Sequence, residues 1–199
     1  MEFMTNMPIV LASGSPRRKE LLGNLGIPFE TMPSDVEEDA ELVNGDFNDY
    51  VQKLAKKKAT AVSQIRTDAV IIAADTIVVF GGEVYPKPSS IEQAESFLRT
   101  FSSKTHSVFT GVSILGSGLS SVFSVETKVT FKELDDQLIR AYVESGDPMD
   151  KAGGYGIQTA GALLVEKVEG DYLNVVGLPL AKLVETLRKE GIVQLKVGE

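Results

Sequence analysis

The sequence predicts an α/β fold built on a mixed sheet. Three observations carry this reading. The run AVIIAADTIVVF, Ala69 to Phe80, is the most apolar in the chain and has the β-branched content of a central strand. Segments with apolar side chains at helical spacing flank it, most clearly Phe47 to Val62. Two alternating segments, THSVFTGVSIL and SVFSVETKVTFKEL, follow one another around Gly116 and Gly118, the pattern of an antiparallel pair.

The elements follow in order. PIVLAS, Pro8 to Ser13, reads as a short buried strand. Ser15-Pro16 supplies an N-cap and a first helical residue; Leu21, Leu22 and Leu25 make an apolar face, and Gly26 is a stop signal. IPFETMPS reads as a second strand, and the acidic stretch DVEEDAELVNGD as a loop. In the helix Phe47 to Val62, Tyr50, Val51, Leu54, Ala55 and Ala59 face inward, while Lys53, Lys56 and Lys57 face water. Gly81-Gly82 turns the chain after the central strand, and SSIEQAESFLRTFS forms a capped helix. DDQLIRAYVES is a helix ending at Gly146. GALLVEKVEGDYLNVVGLPL reads as strand, turn and strand, and LAKLVETLRKEG as the last helix. No repeat, low-complexity tract or linker interrupts the 199 residues, so a single domain is expected, with a core of about 9–187 and terminal extensions at 1–7 and 194–199.

Composition bounds the function. The net charge of −8 argues against a general electrostatic nucleic-acid binder, because such proteins carry a basic face. The chain has no cysteine, which excludes disulfides, thiolate catalysis and cysteine-ligated zinc. One histidine and no cysteine leave oxygen donors for any metal, a set suited to Mg²⁺ or Mn²⁺. The opening residues lack the basic region and long apolar run of a signal peptide, and no apolar stretch approaches a membrane span. A cytoplasmic protein that contacts neither membrane nor nucleic acid is expected.

Four stretches carry chemistry. In SGSPRR, Arg17 and Arg18 stand at a helix start, where the helix dipole prefers acidic side chains. A strand, a small-residue turn and a helix N-terminus together form an anion site, and two guanidinium groups at its mouth suit phosphate. The alternative is a plain Ser-Pro cap with exposed arginines. Asp75 sits inside the most apolar run, where a carboxylate must be paired, hydrogen-bonded or metal-bound; it reads as metal ligand or general base, or else as a structural cap on the next turn. Lys87, between Pro86 and Pro88, lies on a stiff extended segment. It is a weak signal for phosphate against a solvated loop lysine. Lys58 lies about 40° around the helix from Leu54 and is therefore placed to turn inward where Lys56 and Lys57 do not. GDPMDKAGGYGIQTAG holds five glycines in 16 residues, with Asp147, Asp150, Lys151 and Gln158. It reads as a functional loop in which the Gln158 amide could read a base edge, or else as a glycine-rich connecting loop. His106 is expected at the surface or in a turn, and NVVGLP as a structural turn.

These pieces, in this order, resemble the Maf family of nucleoside triphosphate pyrophosphatases. LASGSPRRKELL, AADTIVV, the Lys87-Pro88 pair, HSVFTGV, ETKVTF, DPMDKAGGYGIQ and GDYLNVVGLPL carry the resemblance, which runs from about Ile9 to Leu187. It implies an elongated α/β fold with a central cleft, similar to inosine-triphosphate pyrophosphatase. It implies a metal-dependent reaction, with Mg²⁺ or Mn²⁺, that splits a nucleoside triphosphate into monophosphate and pyrophosphate. By resemblance Asp75 is the proton acceptor, and Ser13, Arg17 and Arg18 match the phosphate-binding motif. Lys58 and Lys87 match further catalytic positions, and Glu38 joins Asp75 near the metal. Arg17, Thr76 and Gln158 occupy the three specificity positions and side with the dTTP/UTP branch over the 7-methylguanosine triphosphate branch. The family allows a homodimer, for which the sequence marks no seam. The expected role is removal of non-standard pyrimidine nucleotides or restraint of cell division and septum formation. Three other readings compete: a phosphatase releasing inorganic phosphate, a regulatory nucleotide-binding protein without turnover, and a nucleic-acid binder. The charge disfavours the last.

Overall fold

The computed structural model describes residues 3–36, 46–116 and 118–196. It is an α/β structure with a mixed sheet, as expected. The strands are β1 (Phe3–Thr5), β2 (Ile9–Leu11), β3 (Glu30–Thr31), β4 (Val70–Phe80), β5 (Glu83–Tyr85), β6 (Thr105–Gly116), β7 (Leu119–Phe131), β8 (Val165–Glu169) and β9 (Val193–Leu195). The helices are α1 (Pro16–Gly23), α2 (Phe47–Ser63), α3 (Ile91–Phe101), α4 (Asp136–Glu144), α5 (Tyr172–Val176) and α6 (Leu180–Lys189). Among the described residues, seven strands form one sheet in the order β3-β2-β4-β6-β7-β8, with β5 also paired to β4. β2 runs parallel to both β3 and β4, whereas β5 pairs antiparallel with β4 and β8 with β7.

The chain divides into two compact units: Met1–Asp75 with Thr110–Val125 and Gly177–Glu199, and Thr76–Phe109 with Glu126–Val176. In the first unit, Val10, Ala12, Ala59, Val62, Ala69, Ile71 and Ala73 form one buried apolar cluster. Small side chains recur here because α2 lies close on the sheet. A Cβ on Gly111 would stand 2.3 Å from the Val51 carbonyl oxygen, so only glycine admits the α2 backbone at that height. Asp46 caps α2, its carboxylate accepting the Asp49 N–H at 3.0 Å. The segments expected as terminal extensions supply β1 and β9, which pair antiparallel with Phe3 opposite Leu195.

The second unit is built around aromatic rings. Phe101 stacks on His106 at 4.5 Å between centroids, and Phe131 meets both Phe101 and Tyr155 edge to face. His106 is therefore a core residue, 2% exposed, and not the surface or turn histidine its Thr and Ser neighbours suggest. It occupies an inward position of β6, and its Nε2 lies 2.8 Å from the Tyr155 hydroxyl. Its Nδ1 has no hydrogen-bond partner among the described residues.

Two further expectations change. Only Glu30–Thr31 of IPFETMPS pairs as strand, because the prolines at 28 and 33 remove donors on either side. The second strand expected after Gly170 is the helix α5. The Asp171 carboxylate accepts the backbone N–H groups of Leu173 at 2.8 Å and Asn174 at 3.3 Å, so Gly-Asp starts a helix instead of a hairpin. The segment Asp35–Asp46, expected as a loop, lies mostly outside the described residues.

Burial pulls the His106 imidazole from 6.5 down to about 4. Between those values the unfolded chain binds a proton that the folded chain does not. Stability is therefore complete above about pH 6.5, falls as the pH drops through that window, and levels off below about 4. The full change is about 3 kcal/mol. Denaturant unfolding from pH 7 to 4 should show this slope in the wild type and a flatter one in His106→Gln; equal slopes would contradict it.

Candidate functional site

The first unit gathers five of the expected site residues. β2 ends at Leu11 opposite Ile72, and the Ala12 N–H donates to the Ile72 carbonyl at 2.8 Å. Ser13 follows the end of β2 by two residues, and Asp75 lies three residues beyond Ile72 on β4. The turn after β2 and the carboxylate on β4 thus share one region of the sheet, at the carboxyl end of β2, where open α/β sheets place ligands.

The turn is held by its own side chains. Ser13 is buried, and its Oγ accepts the Ser15 N–H at 3.2 Å and an Arg18 Nη1 hydrogen at 3.4 Å. Ser15 caps α1, accepting the Arg18 N–H at 3.5 Å, and Pro16 takes the position where no donor is needed. The first turn of α1 holds no acidic side chain, against the preference of the helix dipole. The Arg18 Nε donates to the Gly177 carbonyl at 2.9 Å. That bond fixes the plane of the guanidinium and uses one edge of it. NVVGLP was readable only as a turn; nothing in its residue types announces that its glycine carbonyl holds an arginine 159 positions away. Arg17 is half-buried beside Arg18.

Asp75 is 5% exposed within β4, with Ala73, Ala74, Ile77 and Val78 also buried around it in sequence. Its Oδ1 pairs with the Lys58 Nζ. The two side chains are 12% and 7% exposed, so this is a buried ion pair. Lys58 reaches it from α2, while Lys56 and Lys57 are exposed, as the helical period predicts.

The remaining residues fall elsewhere. Thr76 follows Asp75 directly and is half-buried; Lys87 and Gln158 are exposed, and all three belong to the second unit. The Lys87 segment is held through Pro86, whose carbonyl accepts the Gly153 N–H at 3.1 Å. Gly153 has φ 70°, and a Cβ there would stand 2.9 Å from Val78 Cγ2, so a glycine is required on both counts. Glu38 lies outside the described residues. Lys151, buried, is committed to its own loop: its Nζ donates to the Asp147 carbonyl at 2.7 Å and to the Asp150 carboxylate at 2.6 Å.

A buried carboxylate paired with an ammonium, on a strand parallel to one whose following turn carries two arginines, suits chemistry on a phosphate chain. The sequence comparisons agree on the class. The family model for Maf-like proteins matches residues 8–190. A dTTP/UTP pyrophosphatase of Bacillus cereus is 46% identical over 184 residues, covering 92% of this chain and 96% of that protein. One from Desulforamulus reducens is 46% identical over 187 residues, covering 93% and 97%. The chain belongs to the Maf-like protein family. Among the described residues, no helix is long and apolar enough to cross a membrane.

Breaking the buried pair from one side strands a charge. Lys58→Met should cost about 3 kcal/mol of stability at neutral pH. Adding Asp75→Asn removes the stranded charge and should recover at least about 1 kcal/mol. A double-mutant cycle by denaturant unfolding checks this; strictly additive losses would contradict it.

Proposed function

We propose that this chain is a nucleoside triphosphate pyrophosphatase that acts on dTTP and UTP, releasing the nucleoside monophosphate and pyrophosphate. The observation that carries the proposal is the buried pair of Lys58 with Asp75 on β4, which runs parallel to β2 and so to the strand that leads into the arginine-bearing turn. The names of the relatives, at 46% identity over nearly the whole chain, supply the substrate class.

The proposed roles are these. Arg17 and Arg18 take phosphate oxygens and stabilise the charge that moves toward the leaving group. Lys87, on its stiff Pro-Lys-Pro segment, adds a further ammonium. Asp75 accepts a proton from the attacking water, while Lys58 orients its carboxylate and offsets the cost of burying it. The water oxygen bonds to the α-phosphorus, the bond from that phosphorus to the α–β bridging oxygen breaks, and the electron pair leaves with pyrophosphate. Thr76, Arg17 and Gln158 select the pyrimidine nucleotide.

The donor chemistry fits a hard divalent cation. His106 is locked in the aromatic core, so around Asp75 only oxygen ligands are on offer. Among the described residues no three acidic or histidine side chains cluster as a cage. Mg²⁺ ordinarily needs only one or two carboxylates beside substrate phosphates. Held by Asp75 and Glu38 with phosphate oxygens, Mg²⁺ or Mn²⁺ would neutralise charge on the leaving pyrophosphate.

A product-resolved panel of dTTP, UTP, CTP, GTP and 7-methylguanosine triphosphate tests this. Pyrophosphate should come from dTTP and UTP, and Asp75→Asn, which keeps an oxygen for Lys58 but not its counter-charge, should be less stable yet, where it remains folded, lower kcat by about 10²–10⁴. Inorganic phosphate as the only inorganic product would make the protein a phosphatase. Tight dTTP binding without turnover would make it a regulatory binding protein.

A further inference from the structure

Gln158 is exposed, yet the backbone on both sides of it is held. The Gly156 N–H donates to the Tyr142 hydroxyl oxygen at 2.9 Å. The Thr159 hydroxyl lies 2.6 Å from Asp147 Oδ2 and 2.9 Å from the Gly156 carbonyl, which also accepts the Thr159 N–H at 3.2 Å. Tyr142 donates to the same Asp147 oxygen at 2.6 Å. The turn from 156 to 159 therefore rests at both ends on one Tyr142–Asp147 pair.

The pair is itself fixed. Lys151 Nζ donates to the other carboxylate oxygen of Asp147 at 3.1 Å. Burial works to raise the Asp147 carboxyl, but the hydrogen bonds from Thr159, Tyr142 and Lys151 outweigh it and hold the group below its ordinary 3.8. Burial, with Asp147 alongside, pushes the Tyr142 hydroxyl well above its ordinary 10, so it stays a donor at every working pH. Room for side chains is absent as well: a Cβ on Gly161 would stand 2.8 Å from the Tyr142 hydroxyl and 2.5 Å from the Gly156 carbonyl.

We infer that Tyr142 and Asp147 are positioning residues for substrate selection: they fix the turn that presents Gln158 to the base. Neither needs to touch the nucleotide. A side chain that reads a base edge loses discrimination when its backbone wanders, because hydrogen-bond geometry tolerates only small displacements. This inference rests on the pyrimidine-nucleotide reading of Gln158 given above, and the two fail in different ways.

The test compares kcat/KM for UTP with that for GTP in the full-length protein, using wild type, Gln158→Ala, Tyr142→Phe and Thr159→Ala. Pyrophosphate release from UTP by the wild type, and loss of discrimination in Gln158→Ala, check the earlier reading on its own. Tyr142→Phe should then lower the UTP:GTP ratio by about tenfold. Its effect should fall on KM for UTP, with kcat within about twofold of wild type, and the Gly156 amide should exchange its hydrogen about tenfold faster. Thr159→Ala alters an exposed position, folds independently of the Tyr142 result, and should shift the ratio in the same direction. Equal losses on UTP and GTP, or an unchanged ratio in both variants while Gln158→Ala loses it, would overturn the inference. So would an unchanged ratio in Gln158→Ala itself.

Discussion

A carboxylate in the middle of the most apolar strand is tolerable only because an ammonium reaches it. Asp75 on β4 and Lys58 on α2 are both nearly buried, and most of the first unit's local architecture serves to bring them together. The α2 backbone must lie close to the sheet, which requires glycine at 111 beneath Val51. It must also present one lysine of three inward, which the helical period achieves by placing Lys58 on the row of Leu54 and Val62. A buried pair of this kind contributes little net stability, since desolvation cancels most of the attraction. An apolar pair would hold the fold as well, so the charge is best explained by chemistry. Once placed there, however, neither partner can be removed alone without cost.

The arginines after β2 pose the complementary problem. A helix start without an acidic residue, carrying two guanidinium groups, concentrates positive charge around Ser13 to Arg18. The structure ties down one edge of Arg18 through the Gly177 carbonyl and contacts its Nη1 through Ser13. The parallel pairing of β2 with β4 ends at Leu11 opposite Ile72, two residues before Ser13 and three before Asp75. The coupling of the two motifs is thus a property of parallel strand pairing, not of either motif alone.

Much of this was legible in the sequence, for identifiable reasons. The strand at 69–80, the long helix before it and the antiparallel pair after it have strong periodicity. Lys58 was distinguishable from Lys56 and Lys57 by angle alone. Asp75 declared itself by the mismatch between its charge and its neighbours. What could not be read depends on contacts distant in sequence or on local competition. His106 is flanked by polar residues on a strand, so its inward direction follows from register and not from its neighbours. Gly170-Asp171 carries equal signals for a hairpin and for a helix cap, and the cap prevailed because Leu173 and Asn174 offered amide donors to the Asp171 carboxylate. The three-residue strands β1 and β9 are too short to show a period and exist only because each finds the other. The glycine-rich loop was readable as special, but its hub, the Tyr142–Asp147 pair, is visible only once α4 is folded.

The central claim is that water prepared at Asp75 attacks the α-phosphorus of a pyrimidine triphosphate. Hydrolysis of dTTP or UTP in ¹⁸O-labelled water, with mass analysis of both products, tests it most directly. The account predicts one ¹⁸O in the nucleoside monophosphate and none in the pyrophosphate. Label in the pyrophosphate, or in released inorganic phosphate, would place the attack at another phosphorus and contradict the account.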